Sequence, residues 1–185
     1  MPGDQGSSNA SIAIGAKPYQ FRDPATLPRR EWLSGGHLIR GFVSATVAPG
    51  GIGKTSLLIG ELLSIVSHRS LLGARLAPKP LRGWLWNLED PIEELQRRIQ
   101  AGCLHHGLTA DDLGDRLHVN DRETPLVVAR TTPGGSMVVE PVVDALIAEI
   151  KARNIDVLVI DPFVSCHQAA ENDNSAIDAV VKAWG

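Results

Sequence analysis

Apolar stretches of strand length recur along the chain, and each ends at a glycine, a turn or a polar residue. Three of them, rich in branched or aromatic side chains, occupy residues 41–47, 83–88 and 155–160, and a shorter candidate lies at 117–120. Residues 155–160 are nearly all apolar, which is typical of a parallel strand covered on both faces. We therefore predict four strands, with 155–160 central in a sheet.

Between these stretches, apolar residues recur at three- and four-residue spacing, which predicts helices over 56–66, 92–104 and 141–153 and a last helix that starts near Asn174. Pro91 suits the first turn of the second helix and Asp90 suits its N-cap. Strands that alternate with helices predict a three-layer α/β/α fold with a mostly parallel sheet. In such folds ligands bind beyond the carboxyl ends of the strands.

The remaining segments define the domain organisation. Residues 1–20 are rich in small polar residues and are expected to form a flexible leader, with one domain over 21–185. Residues 21–36 predict an extended approach anchored by Trp32-Leu33, and 121–139 predict a loop or a hairpin. Two tryptophans alternate on the second strand, so a place in the core is favoured over nucleobase stacking: Trp84 and Trp86.

Composition narrows the class of protein. The 185 residues, 43% hydrophobic and 21% charged, describe one ordinary globular domain. The net charge of −3 carries no basic signature, so any nucleic-acid contact would be local or shared between subunits. Cys103 and Cys166 are far apart and predict free thiols in a reducing compartment. No signal-peptide pattern and no apolar run of ~18 residues is found, so we expect a cytoplasmic protein without a membrane partner.

The stretch Ala48-Pro-Gly-Gly-Ile-Gly-Lys-Thr55 matches the phosphate-binding pattern G-x-x-x-x-G-K-[ST], except that Ala48 replaces the first glycine. The glycines let the backbone aim N–H groups at an anion, Lys54 can reach the β- and γ-phosphates, and the Thr55 hydroxyl can ligate Mg²⁺. A strand before the loop and a helix after it complete a phosphate site. The alternative is a glycine-rich turn that happens to precede a lysine. Nucleotide contacts are predicted for eight consecutive residues: Pro49, Gly50, Gly51, Ile52, Gly53, Lys54, Thr55 and Ser56.

Asp161 ends the apolar run 155–160, in the arrangement known as Walker B. A carboxylate at this strand end can hold Mg²⁺ through its water shell while Thr55 ligates the ion directly. The alternative is an aspartate that caps the next turn, helped by Pro162. The phosphate-binding loop favours the metal role.

Glu89 and Asp90 are adjacent carboxylates at the end of the second strand. Hydrolysis of a nucleoside triphosphate needs a group that orients or deprotonates the attacking water, and Glu89 is placed to lie about one water beyond the γ-phosphate. The alternative makes Glu89 a solvated loop charge. We predict Glu89 as the catalytic base, together with Lys54 as the phosphate-binding catalytic residue.

His167 follows Asp161 by six positions and is a candidate sensor of the γ-phosphate or a contact to a neighbouring subunit. A lone histidine is more often structural. The pair His105-His106 lacks metal-ligand spacing with any cysteine or carboxylate cluster, so a zinc site is not expected.

Taken together, four motifs resemble the RecA-superfamily ATPases of the RepA type, which are described as AAA-family ATPases and include plasmid hexameric replicative helicases. The motifs are 32–41, the loop at 48–55, Asn87-Leu-Glu-Asp-Pro91 with Arg97-Arg98, and Val159-Ile-Asp-Pro162. His167 followed by Glu171, Asn172 and Ser175 is similar to a further stretch of that family. The resemblance covers about residues 30–185. It implies a RecA-like core, ATP and Mg²⁺ as ligands, a hexameric ring of identical subunits, and single-stranded DNA as a possible partner.

The resemblance has two departures. Ala48 should be tolerated because alanine needs only a compatible φ. The chain also stops at Ala183-Trp-Gly185, before the further core strands, the sensor motif and the arginine finger of such ATPases. We therefore expect either a fragment or truncated gene product, or a protein whose missing elements lie on another chain. In each case we expect these 185 residues to bind nucleotide but to hydrolyse it poorly.

Three functions remain open at this point. The first is an ATPase motor of helicase or replication-initiation type. The second is an ATP-dependent, DNA-associated regulatory switch without unwinding. The third, less favoured, is a small-molecule kinase with a P-loop, because such kinases usually need an arginine-bearing lid and an acceptor pocket. The sequence does not separate the first two, and the choice of ATP over another nucleotide comes from the resemblance alone.

Overall fold

A computed structural model describes residues 15–132, 135–168, 177–178 and 181–182. Besides two short 3-10 turns, Pro24–Thr26 and Phe163–Cys166, it contains eight strands and four helices in the described part. In chain order they are β1 (Trp32–Ser34), β2 (Leu38–Ile39), α1 (Lys54–Ser67), β3 (Gly83–Asn87), α2 (Ile92–His106), α3 (Ala110–Leu113), β4 (Leu117–Asn120), β5 (Ala129–Thr132), β6 (Gly135–Val138), α4 (Glu140–Arg153), β7 (Val157–Asp161) and β8 (His167–Gln168).

The central sheet is parallel and has the order β4-β3-β7. Three of the four predicted strands are therefore confirmed, and each lies within a few residues of its predicted bounds. The register pairs Trp86 with Ile160 and Asn87 with Asp161, so β3 and β7 end side by side. The prediction that 155–160 is central was wrong for the described residues, because β3 has a neighbour on each side whereas β7 pairs only with β3.

Side chains alternate across this sheet and build two separate cores. Leu85 faces a cluster with residues of α1 and α2, including Leu62 and Leu95. Trp84 and Trp86 face the other way, into a cluster that contains Leu146 of α4. Their rings stack with centroids 5.0 Å apart, and both are buried. The predicted three-layer α/β/α arrangement and the core position of the tryptophans are confirmed.

Leu63 of α1 provides a stability test for this packing, because its side chain is 0% exposed within the first cluster. Leu63→Ala is expected to lower the free energy of unfolding by about 2–5 kcal/mol, through lost burial and the cavity left behind. Leu104→Ala is the matched control, since Leu104 of α2 is 76% exposed, and it should change stability by no more than about 0.5 kcal/mol. Urea titration of both variants measures the difference; equal destabilisation would contradict this packing.

The predicted strand at 41–47 does not form. The structure assigns no strand between residues 41 and 49, and Phe42 and Val47 are 68% and 90% exposed. The segment is held locally instead: the Phe42 N–H donates to the Ile39 carbonyl, and the Ser44 hydroxyl donates to the His37 carbonyl. A β-branched, apolar composition favours a strand only where a neighbouring edge pairs with it, and that pairing is a tertiary event.

The other segments match their predictions in part. Residues 15–31 are exposed and carry one 3-10 turn, as an extended approach requires. Of the predicted anchor pair, Leu33 is buried whereas Trp32 is 40% exposed. The hairpin alternative for 121–139 is confirmed, since β5 and β6 pair antiparallel and β8 joins β5 in parallel. Most of the predicted leader and the start of the helix near Asn174 lie outside the described residues, though 177–178 and 181–182 are helical.

Cysteine and membrane features complete the description. Cys103 and Cys166 are both free and buried. Burial raises the pKa of the Cys166 thiol to about 11. Among the described residues, no helix combines the length and the apolar character that crossing a membrane requires.

Candidate functional site

The loop between the exposed segment and α1 has the backbone shape of an anion cradle. Gly51 and Gly53 adopt φ values of 75° and 93°, which residues other than glycine rarely adopt. α1 starts at Lys54, immediately after Gly53, so its first unpaired N–H groups face the loop. Among the described residues other than glycine, only His68 and Asn154 have positive φ. Ala48 therefore keeps an ordinary backbone, as expected for a tolerated replacement of the first glycine.

The Lys54 side chain folds back over this loop. Its ammonium group donates hydrogen bonds to the carbonyls of Ala48 and Pro49, each at 2.8 Å. The only charged side chain of residues 48–55 is thus held by two neutral carbonyl acceptors at the start of the loop. An anion that enters the loop can take over these hydrogen bonds and gain a charge-assisted interaction.

Thr55 joins the loop to the strand end of β7. Its hydroxyl donates to the Asp161 carboxylate, with 2.6 Å between Oγ1 and Oδ2, although the two residues are 106 positions apart. Asp161 is buried at the last position of β7. A hydroxyl and a carboxylate are hard oxygen donors of the kind that Mg²⁺ prefers, and Mg²⁺ sites commonly use few protein ligands together with substrate phosphates. The donor set therefore fits the predicted ion, and no larger cluster of His, Cys, Asp or Glu occurs among the described residues.

Glu89 lies just beyond the end of β3, beside this pair. The Leu88 N–H donates to the Asp161 carbonyl at 2.8 Å, which extends the pairing of β3 with β7 by one residue. The Glu89 side chain is exposed. Within the described part of the chain its carboxylate has no hydrogen bond or ion pair, so both oxygens remain open to water. The sequence predicted that the loop, Glu89 and Asp161 lie together at the carboxyl ends of the strands. In the structure, Asp161 bonds to Thr55 through its side chain and to Leu88, the residue before Glu89, through its carbonyl.

Asp90 does not cap α2, and that prediction was wrong. The N-cap position is Pro91, with no side-chain cap, and Asp90 instead turns toward Arg98 on the same helix, with 3.2 Å between Oδ2 and Nη1. Arg98 also donates to Glu94 at 3.0 Å. This hydrogen bond, assisted by the negative charges of Asp90 and Asp161, holds the pKa of the Arg98 guanidinium above its usual value.

Sequence reasoning gave no role to Asn87, the last residue of β3. Its amide oxygen accepts hydrogen bonds from the N–H groups of Glu89 and Asp90, at 2.9 and 2.7 Å. This is the turn that asparagine side chains form with the backbone two residues on. The sequence signal that could have indicated this turn is an asparagine two positions before the glutamate at the strand end.

His167 begins β8 and is buried. It pairs in register with Ala129 of β5, and its ring lies 5.0 Å from that of Phe163. These contacts are structural, and a sensor or subunit-contact role stays a prediction. The accompanying Glu171, Asn172 and Ser175 lie outside the described residues.

Comparison with known proteins identifies the family. Residues 15–185 match the family model of an AAA domain. This range contains the loop, the end of β3 and the end of β7. No curated protein matches the chain. The match spans well over half of the chain, and the chain therefore belongs to the AAA domain family of P-loop ATPases.

Proposed function

We propose that the chain binds ATP with Mg²⁺ at residues 48–55 and hydrolyses it, with Glu89 as the general base. The observation that carries this proposal is the 2.6 Å hydrogen bond between Thr55 and Asp161, because it brings the phosphate loop to the strand end beside Glu89. Family membership supports the ATPase at a coarse level. The assignment of individual residues rests on their geometry.

The phosphate groups would be held by the loop and the start of α1. Backbone N–H groups of residues 50–55 supply donors, and the helix N-terminus adds a favourable field. Lys54 would exchange the carbonyls of Ala48 and Pro49 for the β- and γ-phosphates. Pro49, Ile52 and Ser56 are proposed as backbone contacts of the same loop.

Thr55 and Asp161 would hold Mg²⁺ between the loop and β7. When bound, this ion supplies positive charge that stabilises the phosphate oxygens. The protein's own part is to keep a hydroxyl and a carboxylate at one point, which the hydrogen bond between them already does.

Glu89 would take the proton from the attacking water. The water oxygen forms a bond to the γ-phosphorus, and the bond from that phosphorus to the β,γ-bridging oxygen breaks, so that ADP leaves with the electron pair. The open exposure of the Glu89 carboxylate supports this role, since a base must reach a water molecule. His167 would act as a sensor or a contact to a neighbouring subunit.

We further propose that the protein is a motor of the RepA helicase type, working as a homo-oligomeric, hexameric ring on single-stranded DNA in the cytoplasm. The support is the motif set described from the sequence. A DNA-associated regulatory ATPase without unwinding is the second candidate, and it shares every site residue. A small-molecule kinase is less favoured, because the Glu89 strand end provides a base for water.

A paired assay separates these candidates. Single-stranded DNA is expected to stimulate ATP hydrolysis, and a labelled forked duplex is expected to be separated in the same reaction. Stimulation without strand separation would contradict the helicase and support the switch. Transfer of labelled phosphate to a small acceptor would contradict both and indicate a kinase.

A further inference from the structure

The Asn87 side chain is buried in a way that its residue type does not favour. It is 1% exposed, and amides are buried only when their hydrogen bonds are satisfied. Its oxygen uses both of its lone pairs on successive backbone donors, the N–H groups of Glu89 and Asp90. The backbone on both sides of the Glu89 side chain is thus tied to one buried atom.

The nitrogen of the Asn87 amide also contributes to this turn. Asn87 Nδ2 donates to Asp90 Oδ2 at 3.4 Å, and the same carboxylate pairs with Arg98 of α2. The turn is therefore fixed to β3 through Asn87 and to α2 through Arg98. Because Asn87 is the register partner of Asp161, a fixed turn also has a fixed distance from the β7 end.

Glu89 itself makes no comparable contact. Its carboxylate is exposed, and the described residues offer it no hydrogen bond, so nothing beyond the backbone turn sets where it lies. We propose that Asn87 is a positioning residue for hydrolysis, which fixes the Glu89 backbone so that the carboxylate reaches the attacking water. This inference rests on the proposed function. A neutral amide suits the place, because an aspartate would add a third negative charge beside Asp90 and Asp161.

A double-mutant cycle with Glu89 tests the role. Asn87→Ala is expected to lower kcat about 10- to 100-fold, since a base displaced by about 1 Å loses this much. The ATP dissociation constant should change by less than about twofold, because Asn87 makes no contact with the loop. In the Glu89→Gln background the same Asn87→Ala change should lower kcat by less than about threefold, because the group that it positions is gone.

Two further variants guard against a trivial loss of folding. Asn87→Ser keeps a hydroxyl acceptor for the turn and should recover part of kcat. Asn120→Ala is the matched control, because Asn120 also ends a strand of the sheet and accepts a hydrogen bond, from Trp84 at 2.8 Å. It should leave kcat within about twofold of the native value, since its side chain accepts from the Trp84 ring and not from the turn that carries Glu89. If Asn87→Ala does not fold, the cycle is run with Asn87→Ser.

The outcomes separate this role from the proposed function. Equal losses of kcat in the native and Glu89→Gln backgrounds would overturn the positioning role, and so would normal turnover by Asn87→Ala. A Glu89→Gln protein that hydrolyses ATP at the native rate would contradict the proposed function itself. Both the positioning role and the proposed function are supported if Glu89→Gln and Asn87→Ala each hydrolyse ATP slowly and the double variant shows no further loss of kcat.

Discussion

Lys54→Ala is expected to bind ATP about 10- to 100-fold more weakly than the native chain. A hydrogen bond from a charged donor contributes about 1.5–3 kcal/mol, and about 1.4 kcal/mol corresponds to a tenfold change in affinity. The ammonium group already donates to the Ala48 and Pro49 carbonyls of the loop, and we expect it to exchange these acceptors for phosphate oxygens. Equilibrium titration with a fluorescent ATP analogue measures the effect.

Lys79→Ala is the matched control for this variant. Lys79 is exposed in the connection between α1 and β3, where its side chain makes no hydrogen bond or ion pair within the described part of the chain. Its replacement removes the same charge from the protein and should leave affinity within about twofold, as distant surface changes do. Unchanged affinity in Lys54→Ala would show that the loop does not bind the triphosphate through this residue.

Glu89→Gln is expected to keep ATP binding and to lower kcat about 10²- to 10⁴-fold, the usual contribution of a general base. The substitution preserves size and leaves in place the hydrogen bonds that the backbone N–H groups of Glu89 and Asp90 donate to Asn87, since these do not involve the Glu89 side chain. Binding should be retained because the carboxylate contacts no residue of the loop in the described structure. Single-turnover hydrolysis, with binding measured in parallel, separates the two steps.

Glu93→Gln controls for the loss of one carboxylate near the same place. Glu93 lies in the first turn of α2 and is exposed. Its charge interacts favourably with the helix N-terminus, an effect on stability of about 0.3–1 kcal/mol, and it should not alter kcat by more than about twofold. Native turnover by Glu89→Gln would exclude Glu89 as the base.

The predicted fold was right wherever a pattern depended on local sequence. Residues 83–88 and 155–160 were recognised as strands from their apolar runs, although only β3 is buried along its whole length, and the helical spacing at 92–104 predicted α2 closely. The strand at 41–47 failed because an apolar, β-branched stretch becomes a strand only through a partner edge, and sequence does not report the pairing. The centre of the sheet moved from β7 to β3 for the same reason.

Some residues of the candidate site could be predicted from the sequence and others could not. The loop and Asp161 could be found because their chemistry needs fixed residue types at fixed spacing, and the Thr55–Asp161 hydrogen bond joins them. The interaction of Asp90 with Arg98 was missed because helix capping was the nearer explanation for an aspartate before Pro91. Asn87 was missed because its role depends on burial, which one asparagine in a sequence does not reveal.

The most direct test is titration of the native chain with ATP in the absence and in the presence of Mg²⁺. If residues 48–55 and Asp161 form the proposed site, binding saturates at one ATP per chain and becomes tighter when Mg²⁺ is added. Failure to bind ATP under both conditions, or equal binding by the native and Lys54→Ala proteins, would contradict the assignment of this loop as the nucleotide site.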